Sequence, residues 1–204
     1  MNHNKLLPHT SPEYSQQPAA AIQQAADATN VQAANDVEVF RQIKRTELPQ
    51  QTESAEIAQL LEILQHKLGE TASGLNGHLK PRLVSCSRGQ MCSAIAYRVQ
   101  EWQLNPYREA HGGILAAMFD TAMGITAHWL SGGAAVTTVD LLTNYIAPVP
   151  ADSEIIVYSH VQKAGRTLIR VCAEACICPP GTDAADREHQ KLAASASANF
   201  MVLG

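Results

Sequence analysis

One stretch constrains the fold of this chain more than any other. From Gly113 to Leu130 it reads Gly-Ile-Leu-Ala-Ala-Met-Phe-Asp-Thr-Ala-Met-Gly-Ile-Thr-Ala-His-Trp-Leu, apolar on nearly every helical face. A helix that is apolar all round must be buried. At about 1.5 Å per residue, some 17 residues give a rod of roughly 25 Å. The rest of the chain has to wrap it.

The flanks read as strands. Leu83-Val84-Ser85-Cys86 and Cys92 to Trp102 are β-like, joined by the turn Ser87-Arg88-Gly89. In the second run Ser93, Ile95, Tyr97, Val99 and Glu101 share one face, and Ala94, Ala96, Arg98, Gln100 and Trp102 share the other. After Gly132-Gly133 come Val136 to Tyr145, Ser153 to Lys163 and Arg166 to Cys178, with Ala164-Gly165 suited to a tight hairpin. A polar loop, Pro179 to Gln190, leads to a last strand, Leu192 to Leu203. The order is strands, one long helix, then four strands, which predicts an α+β domain. A curved sheet from one subunit covers only part of a buried helix, so a second subunit is expected to complete it.

Upstream, the texture differs. Residues 1–50 are expected to be a low-complexity extension, flexible or helical. The first 35 residues hold three charged groups, Lys5, Glu13 and Asp27, too sparse in apolar area to offset their ordering entropy. Residues 51–79 read as an amphipathic helix capped by Thr52 or Ser54. Its stripe is Ile57, Leu60, Leu61, Leu64 and Leu68, with Gly69 and Gly74 as stop signals. The stripe fits the domain behind it, or a partner. The main domain is expected over 80–204.

Composition narrows the function classes. Hydrophobic content is 46% but aromatics only 5%, so the core rests on Ala, Val, Ile and Leu. A net charge of -4 argues against nucleic-acid binding. The cysteine count is 5, odd, with no CxxC pair and no signal peptide, so reduced thiols and a cytoplasmic location are expected. No run is long enough to span a bilayer as a helix. With no HxxH or HExxH, no metal site is expected; without GxGxxG, GxxxxGK[ST] or GxSxG, neither nucleotide cofactors nor a serine elbow are supported.

The chemistry gathers at the helix. His111-Gly112-Gly113 stands at its start, where unpaired amides carry partial positive charge. Glycines there let a ligand approach the backbone, which suits an oxyanion hole; equally, they make a tight strand-to-helix turn. Asp120 lies inside the apolar helix, where a carboxylate needs a hydrogen-bonding or catalytic reason. It could act as general base, attack a carbonyl, or bond its neighbours structurally. Asp120 is nine residues past His111, about 13 Å along a helix and nearly on the opposite side. Two antiparallel helices across a dimer would bring His111 of one subunit near Asp120 of the other.

These residues resemble a known family. Asn105, then His111-Gly112-Gly113, then Asp120, is similar to the motif of PaaI-like hot dog-fold acyl-CoA thioesterases. Thr137-Thr138-Val139-Asp140-Leu141-Leu142-Thr143-Asn144-Tyr145-Ile146-Ala147-Pro148 resembles the family's central strand, and Lys163-Ala164-Gly165-Arg166-Thr167-Leu168 its hairpin. The resemblance covers residues 80 to 204. It implies a hot dog fold, a curved antiparallel sheet around one long helix, here with an N-terminal helical extension. It implies hydrolysis of an acyl-CoA to free acid and coenzyme A in a dimer or tetramer, with no cofactor beyond the coenzyme A of the substrate. By the same resemblance Asp120 would be base or nucleophile, and the amide of Gly112 would hold the thioester oxygen. Asn105 and His111 would orient thioester or water. Thr138 would hold water or help position the acid of the facing subunit. Gly113, Tyr145, Lys163, Gly165 and Arg166 would meet coenzyme A. Where the family carries Gly after the Asn, this chain has Arg108, which would alter the loop or add a phosphate contact. A non-catalytic protein that binds or senses acyl-CoA is the alternative.

Overall fold

The computed structural model describes residues 54–64, 74–179 and 187–203, all within one compact unit, Glu47–Gly204. The expectations for residues 1–50, for Leu68 and for most of the Pro179 to Gln190 loop lie outside the described residues. In chain order the elements are helix α1 (Ser54–Ile63), helix α2 (Leu75–Leu79), strands β1 (Arg82–Ser87) and β2 (Cys92–Arg98), and helix α3 (Gly112–Leu130). Strands β3 (Val136–Tyr145), β4 (Glu154–Ala164), β5 (Leu168–Cys178) and β6 (Lys191–Val202) follow.

The strands form one antiparallel sheet in the order β1-β2-β4-β5-β6-β3. It curves around α3, which packs against β2, β3, β4, β5 and β6. Met118, Phe119, Ala122, Met123, Ala127 and Trp129 of α3 are fully buried against Ile95, Val157, Val171 and Phe200 of the sheet. This is the hot dog arrangement. Polar groups inside the helix are bonded, as burial requires. The Thr126 hydroxyl donates to the Ala122 carbonyl at 2.7 Å and meets Ser93 at 2.7 Å. The Thr121 hydroxyl donates to Asn76 of α2 at 2.8 Å.

Both helix ends follow from sequence. His111 caps the start, its Nδ1 accepting from the Gly113 amide at 3.0 Å. At the far end the Gly133 amide donates to the His128 carbonyl at 3.0 Å and Gly132 to Trp129 at 3.3 Å, closing the last carbonyls in a paired cap.

Helix α1 packs on this core through Leu60 and Leu64, while Leu61 faces outward. Gln59 of α1 accepts from Trp129 Nε1 at 3.2 Å and from Arg88 at 3.1 Å. Arg88 lies over the Trp129 ring at 4.8 Å. The brace therefore fastens to the turn between β1 and β2 and to the end of α3.

Two local expectations change. The strand expected to reach Trp102 ends at Arg98, because Gln100 and Gln103 bond each other's backbones and wind Glu101–Gln103 into a short 3-10 turn. Within the span expected as one helix, Gly74 is in extended backbone and caps a separate short helix, α2. The faces of β2 hold in register, with Ile95, Tyr97 and Val99 toward α3. The opposite face is also buried: Ala94, Ala96, Ile156, Tyr158, Cys176 and Cys178 form a second small cluster behind the sheet. No helix among the described residues is long and apolar enough to cross a membrane.

Candidate active site

The start of α3 offers one open donor. The Gly113 amide is taken by His111 Nδ1, and those of Ile114 and Leu115 by the His111 carbonyl at 2.9 and 3.1 Å. Only Gly112 among these first-turn amides has no acceptor in the described residues. Because Nδ1 accepts, neutral His111 carries its proton on Nε2, and that edge of the ring is exposed. Tyr145, at the end of β3, leans over Gly112: its hydroxyl donates to the Gly112 carbonyl at 2.7 Å. A Cβ on Gly112 would sit 3.2 Å from the tyrosine ring. A side chain there would press the tyrosine ring back by a few tenths of an ångström, while the dihedral angles of Gly112 are ordinary.

The loop before the helix is closed by backbone bonds. His111 N donates to the Gln103 carbonyl at 2.8 Å and Asn105 N to Glu109 at 2.7 Å. Asn105 Oδ1 accepts from the amides of Tyr107 at 2.9 Å and Glu109 at 3.2 Å, so its carboxamide holds the loop and leaves Nδ2 as the free end. Arg108 takes the left-handed conformation, φ 64, the region a glycine would occupy without cost. Its guanidinium grips Glu101 in a two-pronged pair at 2.6 and 2.9 Å. That bond holds the Glu101 carboxyl below its ordinary pKa and raises that of Arg108. The Arg108 amide closes the turn on the Asn105 carbonyl at 3.0 Å, and Glu101 occupies the guanidinium.

Asp120 is half-buried on α3, and Oδ1 accepts the Thr138 hydroxyl at 2.7 Å. The sequence expectation assigned Thr138 to water or to the acid of a facing subunit. Within one chain the Thr138 hydroxyl bonds Asp120, because β3 runs alongside α3. The second carboxylate oxygen has no donor among the described residues. Beneath it lies Tyr97, fully buried, its hydroxyl donating to the Met118 carbonyl at 3.2 Å. Burial, then the charge of Asp120, pushes the Tyr97 pKa up, so the phenol stays protonated. Sequence reasoning missed Tyr97 as a neighbour of the site. Its β-strand periodicity showed only that it faces inward.

The β4–β5 hairpin presents Lys163 and Arg166, both exposed. At Gly165 a Cβ would fall 2.8 Å from the Leu168 carbonyl oxygen, which the Gly165 amide also binds at 2.9 Å. Among the described residues no hydrogen bond or ion pair joins this hairpin to Asp120 or His111. None of the 5 cysteines is in a disulfide, and four of them are buried. No cluster of His, Cys, Asp and Glu that could hold a metal occurs among the described residues.

The structure thus joins Asp120 to Thr138, Gly112 to Tyr145, and His111 to Gly113. A carboxylate with one free oxygen and a helix start with one free amide are the parts of a site for acyl transfer. The chain is also similar to known proteins. Residues 109–181 match the thioesterase superfamily family model. The chain is 29% identical over 89 residues to acyl-coenzyme A thioesterase 13 of Homo sapiens, covering 44% of this chain. It spans 62% of that relative's length. Among solved structures, the fold matches the E. coli PaaI protein of the phenylacetic acid degradation operon at a TM-score of 0.58 and 17% identity, covering 72% of this chain and 95% of that one. A Streptococcus mutans protein bound to acetyl CoA matches at a TM-score of 0.51 and 19% identity, covering 61% and 89%. The described domain has the hot dog fold of the PaaI protein, and its segment 109–181 is similar to the thioesterase superfamily.

Proposed function

We propose that this chain hydrolyses an acyl-CoA thioester to the free carboxylic acid and coenzyme A. The observation that carries the reading is Asp120, half-buried in the central helix and fixed by the Thr138 hydroxyl at 2.7 Å. As general base, Asp120 takes a proton from water as the water oxygen bonds to the thioester carbon. The carbonyl oxygen becomes an oxyanion and meets the open Gly112 amide, strengthened by the helix dipole. Collapse breaks the C–S bond, and the thiolate leaves with the proton held by Asp120. As nucleophile, the free carboxylate oxygen attacks the carbon itself, the C–S bond breaks and coenzyme A leaves as its thiolate; water then opens the resulting anhydride, restoring Asp120, freeing the acid and supplying the proton the thiolate takes up. Asn105 Nδ2 and His111 Nε2–H are the donors available to orient the thioester or the water.

Asp120 lies about 12 Å along the helix from Gly112, too far for one thioester to touch both. A dimer with a composite site fits that distance. Gly113, Ala116, Ala117 and Asp120 form a partly open stripe on α3, and Val139, Leu142 and Tyr145 of the edge strand β3 stay exposed. Tyr145, Gly113 and the hairpin Lys163-Gly165-Arg166 are the proposed coenzyme A contacts, with the two cations matched to its phosphates.

The test is a panel of acyl-CoA substrates read by a thiol-reactive dye. Thiol release is expected from the native chain, and Asp120→Asn should lower turnover by at least about 100-fold with its circular dichroism unchanged. Unaltered turnover in that variant overturns the assignment. Tight binding without thiol release across the panel would make the protein an acyl-CoA binder instead.

A further inference from the structure

The edge strand β3 contains an irregularity that bears on Asp120. From Val136↔Val202 to Thr138↔Phe200 the pairing with β6 runs in one register; from Asp140↔Asn199 to Tyr145↔Ala194 it runs in another. Val139 is the extra residue, a β-bulge, and its side chain is 57% exposed. Directly opposed residues share a face of an antiparallel pair. Phe200 is buried against α3, so its partner Thr138 faces the helix and reaches Asp120. Carried on in the register of Asp140 to Tyr145, the strand would set Val139 opposite Phe200 and Thr138 opposite Met201. Met201 is 44% exposed on the far face. The Thr138 hydroxyl would then point away from Asp120, since a one-residue slip turns every side chain over.

A specific lock sits at the step. Asp140, the first residue past the bulge, accepts from the Asn199 amide at 3.2 Å and from Asn199 Nδ2 at 3.1 and 2.9 Å. Both carboxylate oxygens are used across the strand pair, to backbone and side chain together. An ordinary exposed cross-strand pair has no such grip on the neighbouring backbone.

We infer that Asp140 and Asn199 are positioning residues: they pin the bulge at Val139 and thereby aim Thr138 at Asp120. This rests on the hydrolase reading above. Their effect is indirect, through Thr138, so they should set the chemical step and leave substrate binding alone.

The test is a double-mutant cycle on the full chain, with kcat and KM measured by thiol release. Asp140→Ala should lower kcat about tenfold, the scale of a misplaced catalytic group, with KM within about twofold. Asp140→Asn, which keeps an acceptor for the Asn199 amide, should recover most of the loss. Asn199→Ala should fall between, since the side-chain bonds go and the backbone bond stays. Asp140→Ala combined with Thr138→Ala should be no slower than Thr138→Ala alone, because the lock acts only through that hydroxyl. Losses that simply multiply, or a wild-type kcat in Asp140→Ala, overturn the inference. A crystal structure of Asp140→Ala reads the geometry without activity. A Thr138 hydroxyl beyond about 3.5 Å from Asp120 supports it, and an intact bond refutes it. Should the native chain release no thiol, the hydrolase reading fails by itself, and this distance still decides the positioning role. If Asp140→Ala does not fold, Asn199→Ala carries both measurements.

Discussion

Replacing Gly112 by Ala separates helix stability from site function. The residue opens α3 with ordinary dihedral angles, so Ala is tolerated by the backbone and is the better helix former by up to about 1 kcal/mol. Its amide, the proposed oxyanion donor, is unchanged. The cost lies in space. The new Cβ would stand 3.2 Å from Tyr145 Cζ, 3.3 Å from the hydroxyl oxygen and 3.4 Å from Cε1, so the ring must retreat by a few tenths of an ångström. That retreat strains the 2.7 Å bond from Tyr145 to the Gly112 carbonyl, worth about 1 kcal/mol net. The same methyl also stands where a thioester must come within hydrogen-bond range of the amide. Together these should reduce kcat/KM by about 10- to 100-fold, or ~1.4–2.8 kcal/mol, as thiol release would measure. The melting temperature should hold or rise. Because Tyr145 is itself a proposed coenzyme A contact, Gly112→Ala with Tyr145→Ala is compared with Tyr145→Ala alone: equal kcat/KM means the ring was the obstacle, and a further loss means the methyl blocks the substrate. Full activity in Gly112→Ala would refute the placement of the oxyanion at this amide.

Other expectations concern the scaffold. Leu60 of α1 is fully buried, so Leu60→Ala should cost about 2–5 kcal/mol. At roughly 2–4 °C per kcal/mol, a melting point lower by about 4–20 °C is expected; an unchanged melt would mean that α1 is not part of the cooperative unit. Burial pushes the Cys86 and Cys176 thiols up to about 11. Thiolate therefore appears in the native protein only as pH climbs well past the unfolded value near 9. At pH 8 a disulfide reagent should label these two far more slowly in the native state than in guanidinium. Equal rates in both states would contradict their burial.

The central helix was legible because its sequence is apolar on nearly every face, and because His111 and Gly132-Gly133 are end signals with known geometry. Strands β3 to β6 followed from alternation and from the Ala164-Gly165 turn. The misses have physical causes. Leu75–Leu79 is too short to display a period, and the turn at Glu101–Gln103 depends on a reciprocal bond between two glutamines. Burial of Ala94 and Ala96 depends on what lies behind the sheet, which alternation in one strand does not encode. Arg108 in a left-handed turn breaks a local preference, and only the Glu101 contact reveals what accompanies it. Least legible was the partner of Asp120. Thr138 was singled out by resemblance, yet its bond to the same chain's carboxylate depends on a one-residue bulge and on β3 lying beside β6 rather than beside β2.

That strand order has a consequence for how the protein is made. Among the described residues β3 pairs only with β6, which lies well downstream of it, so Thr138 emerges from the ribosome before the residues that hold it in register. Until Asn199 arrives, β3 has no sheet neighbour and the bulge has nothing to be measured against. The inner strands β2, β4 and β5 can already associate around the helix, since each lies beside another that precedes β6. Synthesis at about 5–20 residues per second leaves a window of seconds in which the core is present and the Thr138–Asp120 bond is not. Assembly of the carboxylate site is thus deferred until β6, and nascent chains short of it should be compact and catalytically silent.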